Sequence, residues 1–212
     1  WGEDMEQAIE EIFMDSDPDA AILAYTNERV SGYNAHIRDM RGLTETYNVG
    51  EWVVNNNAGE PRRGERVSVE EEFEVLRVGD VSEIIKPDPY DQNVEMEVIS
   101  VDLRSKRRTL FNIMVPVDKD HHTALMKYYA KVKKWPIYFK LKEEFLDLRP
   151  RTARTVHKSQ GSTYDTVFID LEDISTCKSA NQTARLLYVA FSRAKNRVVL
   201  YGNLAPRYGK IV

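Results

Sequence analysis

Cysteine is nearly absent. Cys177 stands alone among 212 residues, which excludes an internal disulfide framework and fits a reducing cytoplasm. Long apolar runs are missing too: none approaches the ~20 residues that span a bilayer, and no signal peptide opens the chain, so a soluble, cytoplasmic protein with no membrane partner is expected. A phosphate loop is also lacking. Gly59-Glu60-Pro61-Arg62-Arg63-Gly64 has its glycine spacing, but Glu65-Arg66 stands where Lys-Ser or Lys-Thr is required, and the stretch reads as a turn. His121-His122 has no cysteines or carboxylates at ligand spacing, so no metal site is expected. The opening Trp1-Gly2 lacks a methionine and reads as a piece of a longer protein.

What is present suffices for one good core or two small ones, since 42% of the residues are hydrophobic. Thirty basic against 34 acidic residues leave a net charge of −4, which argues against indiscriminate nucleic-acid binding. The average hides a segregation. Residues 3–19 hold acidic groups and no basic ones, whereas Arg104 to Arg108 is almost wholly basic, as is the spaced series Arg149, Arg151, Arg154 and Lys158. Any one such run can be a solvated face.

The chain opens with a helix, because Met5, Ile9, Ile12 and Phe13 recur at helical spacing until Asp17-Pro18 stops it. Ala20 to Tyr25 reads as a buried strand. Thr26 or Asn27 can then cap a helix with the stripe Val30, Tyr33 and Ile37. Tyr25, Asn27 and Arg29 fall where strand meets helix, the place where open α/β sheets bind ligands, although Tyr25 can equally be packing. After Arg41-Gly42 short strands follow: Glu51 to Asn55, Val67 to Val78, Asn93 to Leu103 and Thr109 to Val115. Val94, Met96 and Val98 alternate with Asn93, Glu95 and Glu97, Asn55 to Gly59 and Arg104-Ser105-Lys106 look like hairpin loops, and the whole suggests a small antiparallel barrel. Helices are expected over His121 to Lys134 and Tyr138 to Leu148, separated by Trp135-Pro136. Their lysines and rings (Lys127, Tyr128, Lys131, Lys133, Trp135, Phe139 among them) either pack the two helices or grip single strands by phosphate pairing and stacking.

From Arg151 the α/β texture returns. Ala153 to Val156 reads as a strand running into Thr155-Val156-His157-Lys158-Ser159-Gln160-Gly161-Ser162-Thr163-Tyr164-Asp165, a loop dense in donors that suits phosphate. Gly161 permits close backbone approach or a left-handed turn, after which Ser162 can cap a helix. Thr166 to Leu171 is a strand. Asn181 or Ser179 can cap a helix through Gln182 to Ser192, whose Leu186, Leu187, Val189, Ala190 and Phe191 imply broad burial, and Arg197 to Tyr201 is the last strand.

The donor loop, together with Leu187-Tyr188-Val189-Ala190-Phe191-Ser192-Arg193-Ala194-Lys195, resembles motifs V and VI of superfamily 1 DNA helicases, most closely the phage Dda type and its RecD-like and Pif-like relatives. Ala21-Ile22-Leu23-Ala24-Tyr25-Thr26-Asn27 with Val30, Tyr33 and Asn34 is similar to motif IV. The resemblance implies an α/β chain. Residues 1–41 and 151–212 would form a discontinuous RecA-like motor domain of the P-loop NTPase type, with 42–150 an inserted Src-homology-3-like β-barrel plus helices.

In that family Arg193 would be an arginine finger reaching the γ-phosphate held by another domain, worth roughly 10³ to 10⁵ in rate. Gln160, Gly161, Tyr25 and Arg29 would meet ATP with Arg193, while Thr155, His157, Lys158 and Ser159 would grip single-stranded DNA. ATP and Mg²⁺ would be bound mainly by an amino-terminal RecA-like domain of the same parent, the principal partner besides single-stranded DNA, and replication or recombination proteins are further expected partners. Val167-Phe168-Ile169-Asp170 looks like a magnesium-holding strand but no phosphate loop precedes it, so this chain alone would be inactive. One departure is Ser162-Thr163-Tyr164, where UvrD-type relatives carry Leu-Glu-Phe with a ribose-contacting glutamate; it draws the resemblance toward the Dda and RecD branch and 5′ to 3′ travel. Two other readings stay open: a RecD-like subunit of a recombination nuclease complex, and an ATP-independent single-strand-binding module.

Overall fold

The computed structural model describes residues 3–14, 18–91 and 93–208. The side chain of Met5, Asp17 of the helix stop and Trp1-Gly2 lie outside the described residues. The elements in order are α1 (Glu3–Phe13), β1 (Ala20–Ala24), α2 (Asn27–Met40), β2 (Trp52–Asn55), β3 (Glu72–Val78), β4 (Glu83–Ile85), β5 (Met96–Arg104), β6 (Thr109–Pro116), α3 (Lys119–Lys131), α4 (Trp135–Glu144), β7 (Leu148–Pro150), β8 (Ala153–Thr155), β9 (Tyr164–Asp170), α5 (Leu171–Ile174), α6 (Ala180–Phe191) and β10 (Ala194–Tyr201). They divide into two compact units, residues 1–44 with 151–212 and residues 45–150, the break falling three residues later than the texture change at 41/42. No helix among the described residues is long and apolar enough to cross a membrane.

The first unit is built on a four-stranded, all-parallel sheet in the order β10-β9-β1-β8. Such a sheet buries both faces, which is why Ala20-Ala21-Ile22-Leu23-Ala24 is continuously apolar instead of alternating. Ala20, Ile22 and Ala24 join Ile9, Phe13, Val30, Tyr33 and Ile37 of α1 and α2. Ala21 and Leu23 point the other way, onto Leu186 and Ala190 of α6. Thr26 caps α2, its hydroxyl accepting from the Arg29 amide at 3.2 Å. This is the α/β layering, a parallel sheet covered on both faces, that the resemblance implied. In α6, however, the buried face is narrower than the run of apolar residues suggests: Phe191 is 40% exposed and Tyr188 76%.

The second unit is an antiparallel sheet in the order β4-β5-β3-β2-β7, with β6 also on β5. Among the described residues no pairing joins β6 to β7, so the expected barrel is not closed by strand pairing. Met96 and Val98 are buried while Glu95 and Glu97 face water, as their alternation requires. The strand expected over Val67 to Val78 begins only at Glu72, because a Ser68–Glu71 turn with Glu70 left-handed (φ 60°) interrupts the pleat. Asn55 to Gly59 is not a hairpin loop. It starts a long β2–β3 connection pinned by the buried Asn55, which donates to the Ser68 carbonyl at 3.1 Å. The β5–β6 connection is tight, with the Ser105 amide on the Arg108 carbonyl at 2.8 Å. Trp135-Pro136 does not merely separate helices but opens α4, where a proline at the first turn costs no hydrogen bond. That helix stops at Glu144; Leu148, buried in the core, then extends into β7 because Pro150 disfavours a helical Arg149.

Candidate functional site

In β8, β1 and β9 the register sets an unusual problem. Thr155 lies level with Ala24, whereas Thr166 lies level with Ala20, so residues 156–165 must return along the length of β1 and step across it. Parallel strands usually make that return through a helix of a dozen or more residues. Here the donor-rich loop makes it, crossing on the α6 face, where Val156 and Tyr164 are buried against Ala21 and Leu23.

Its first half is a 3₁₀ turn, Val156–Ser159. The Thr155 hydroxyl accepts from the Lys158 amide at 3.4 Å, and the Ser159 hydroxyl donates to the Val156 carbonyl at 2.7 Å. Both hydroxyls are buried and spent on this turn. The second half is a type II β-turn: Gln160 has φ −61° and ψ 131°, Gly161 has φ 87°, and the Ser162 amide returns to the Ser159 carbonyl at 3.1 Å. Gly161 is therefore needed for its left-handed backbone and not for close approach, since nothing lies within 4 Å of where its Cβ would be. Ser162 caps no helix; β9 follows at once. His157 and Gln160 are exposed and Lys158 is half-buried. The His157 ring lies 6.2 Å from that of Tyr25, inclined by 46°.

Arg193 follows the carboxyl-terminal cap of α6. Its Nε donates to the Val189 carbonyl at 3.1 Å, one Nη to the Ser162 carbonyl at 3.1 Å and the other to the Ser192 hydroxyl at 2.8 Å. All three acceptors are neutral, so this half-buried guanidinium is joined to the crossover without a described carboxylate to cancel its charge. Its own carbonyl accepts from the Tyr164 amide at 2.8 Å, closing the junction.

Tyr25 and Arg29, expected beside the same nucleotide, sit elsewhere. Ala194 pairs with Tyr164 and Tyr201 with Asp170, so the two ends of the sheet are roughly 20 Å apart at ~3.3 Å per residue. Arg193 is at the amino end, Tyr25 and Arg29 at the carboxyl end. There the Arg29 Nε is held by the fully buried Asp170 at 2.7 Å and its Nη by Glu172 at 3.2 Å. Asp170 also accepts from the Tyr33 hydroxyl at 2.6 Å; burial, then that carboxylate, pushes the phenol well above its usual pKa. Asp173 accepts from the Tyr25 and Thr26 amides at 2.6 and 2.8 Å and from the Thr26 hydroxyl at 2.9 Å. The anion position at the start of α2 is thus filled by the chain's own carboxylate. A cleft of about 650 Å³ alongside is lined by Glu28, Glu172 and Asp173 as well as Arg29, a charge balance unsuited to a triphosphate. The expected ATP-contacting set is therefore two clusters and not one.

Sequence reasoning missed a groove of about 570 Å³ between the crossover and α6, lined by His157, Gln160, Ser179, Asn181, Gln182 and Arg185 among others. The signal was available. Arg185 and Val189 stand four residues apart, which puts them on one side of α6.

Residues 151–201 match the family model described as the UvrD-like helicase C-terminal domain, a span holding both motifs quoted above. An uncharacterized protein of Acanthamoeba polyphaga mimivirus is 27% identical over 139 residues, covering 65% of this chain and 28% of its own length. Among solved structures, Pif1 helicase from Bacteroides with ADP-AlF3 and single-stranded DNA is 14% identical over 100% of this chain and 48% of its own, at a TM-score of 0.46. Pif1 helicase from Candida albicans is 15% identical over 95% and 50%, also at 0.46. The chain spans half or less of the length of these relatives.

Proposed function

We propose that this chain is the carboxyl-terminal part of an ATP-dependent DNA helicase that travels 5′ to 3′ on single-stranded DNA, and that Arg193 completes an active site whose phosphate loop another domain supplies. The observation that carries this reading is the charge of Arg193. A half-buried cation bonded, among the described residues, to neutral oxygens, on the chain segment that matches the helicase family model, can receive an anion. Bound ATP would supply the phosphoryl group, and Mg²⁺ would offset part of its negative charge.

The residues present fit a supporting role toward that group. Arg193 can neutralise charge that grows on the transferring phosphoryl oxygens. Gln160, exposed one residue before the left-handed Gly161, can follow the turn that ends at the Ser162 carbonyl Arg193 holds. Releasing or tightening that bond would reset the crossover, and with it His157 and Lys158, the side chains of the expected DNA set that are not buried in the turn. Thr155 and Ser159 act as its internal pegs.

The test is single-stranded-DNA-stimulated ATP hydrolysis by this chain together with the amino-terminal half of its parent. Arg193→Ala is expected to lower the rate by about 10³-fold or more while leaving DNA affinity in place. Hydrolysis that survives the substitution would sink the finger assignment. Unwinding of duplexes bearing a single 5′ or 3′ tail reads the direction.

A further inference from the structure

From His121 to Lys142 the chain carries six lysines and no acidic residue, in a protein of net charge −4. This stretch forms most of α3 and α4 in the second unit. One side of the pair is core: His122, Leu125, Tyr129 and Leu141 are buried, with Met96 and Val98 of β5 beneath them. The other side is not. Tyr128, Val132, Trp135 and Phe139 are 45%, 44%, 48% and 46% exposed, so packing accounts for Tyr129 and Tyr138 but leaves three rings and a valine uncovered. The Trp135 ring centroid stands 5.8 Å from that of Tyr138 and 6.5 Å from that of Phe139, so the indole is half exposed at the edge of an aromatic cluster. Among the six lysines only Lys134 is held by a described carboxylate, Asp88 at 2.6 Å.

The turn between the helices adds a second, independent observation. Lys133 is left-handed, with φ 58°, a conformation that L side chains other than Asn and Asp avoid and that glycine adopts freely. A glycine would serve the fold better there. Lys133 is exposed and lies two residues from Trp135 in the chain.

We propose that the exposed rings and lysines of α3 and α4 form a single-strand nucleic-acid platform, with bases stacked on Trp135 and Phe139 and phosphates met by Lys131, Lys133 and Lys140. Cations without carboxylate partners beside planar rings fit a polyanion that also has π-faces, and such platforms tolerate any sequence. Its ligand is that of the helicase reading, but its residues lie outside the crossover and α6, so the two can fail separately.

The experiment is the affinity of this chain for a dye-labelled thymidine oligonucleotide, without nucleotide, over a salt series. Trp135→Ala should weaken binding about tenfold. Lys133→Gly should hold or raise the melting temperature, since it relieves the turn, yet reduce the slope of log affinity against log salt by about 0.7, one phosphate's share. Loss of ATP hydrolysis in Arg193→Ala, read on the chain completed by its amino-terminal half, tests the helicase reading apart from these two quantities. Unchanged affinity and slope in both Trp135→Ala and Lys133→Gly, with melting temperature retained, overturn the platform and leave the patch to a protein partner.

Discussion

Two polar clusters of the parallel sheet invite the same interpretation and behave oppositely. At its carboxyl end, Asp170 and Asp173 turn inward and are answered by Arg29, Tyr33 and the first amides after β1, so charge and hydrogen bonds close on themselves. Along α6 and the crossover, Gln160 and Arg185 stay exposed, and among the described residues Arg193 is bonded to neutral oxygens. Chemistry-bearing residues at a strand end are thus no guide until their partners are counted. A cluster closed on itself is a latch, whereas the charge left uncancelled at Arg193 is what the proposed phosphate contact would meet.

Cutting the latch is the most severe way to test this contrast. Asp170→Ala leaves the Arg29 guanidinium and the Tyr33 hydroxyl facing an empty buried site, and should cost about 3 kcal/mol in urea denaturation; a loss within experimental error would mean that Asp170 is not structural. Asp173→Ala removes one acceptor from the Tyr25 and Thr26 amides and should cost about 1 to 2 kcal/mol by the same measurement. Neither change should alter oligonucleotide affinity per folded molecule. On the crossover, Gly161→Ala meets no atom but forces a side chain into the left-handed region, for about 1 kcal/mol of stability. The smallest stability effect belongs to Arg185→Ala, within about 0.5 kcal/mol because the residue is exposed. If the groove meets phosphate, that same variant should reduce the salt slope of single-strand binding by about 0.7.

These expectations differ in how far they could be read beforehand. The elements of the first unit were legible because each carries a local signal: the Thr26 cap, the apolar run of β1, the 3.6-residue stripe of Val30, Tyr33 and Ile37. The candidate site was legible as a pair of motifs, and Arg193 was singled out through them. Its neighbours were not. Asp170 was noticed as a motif look-alike, but its partner Arg29 lies 141 residues away in sequence, and no periodicity connects them. The groove beside α6 escaped because its two walls are also separate segments.

In the second unit the errors cluster where one residue overrides a pattern. Glu70 adopts φ 60° inside what reads as one long strand, and Leu148 reads as the end of a helix until it is seen in the sheet core. The aromatics of α3 and α4 show the same limit. Helical spacing is equally good for Tyr129, which is buried, and Tyr128, which is not.

By itself, then, the sequence determined the α/β texture, the main strands and the capped starts of α2 and α6 in the first unit, the absence of a phosphate loop, and the two motifs that single out Arg193. These are local properties, fixed by neighbours within a few positions along the chain. Only the tertiary structure decided that Thr155 and Ser159 are pegs, that Asp173 fills the anion position at the start of α2, that Tyr25 and Arg29 stand a sheet's length from Arg193, and that Trp135 faces water. Each of those depends on what lies opposite a side chain, and a partner is set by packing across distances in sequence that no local pattern spans.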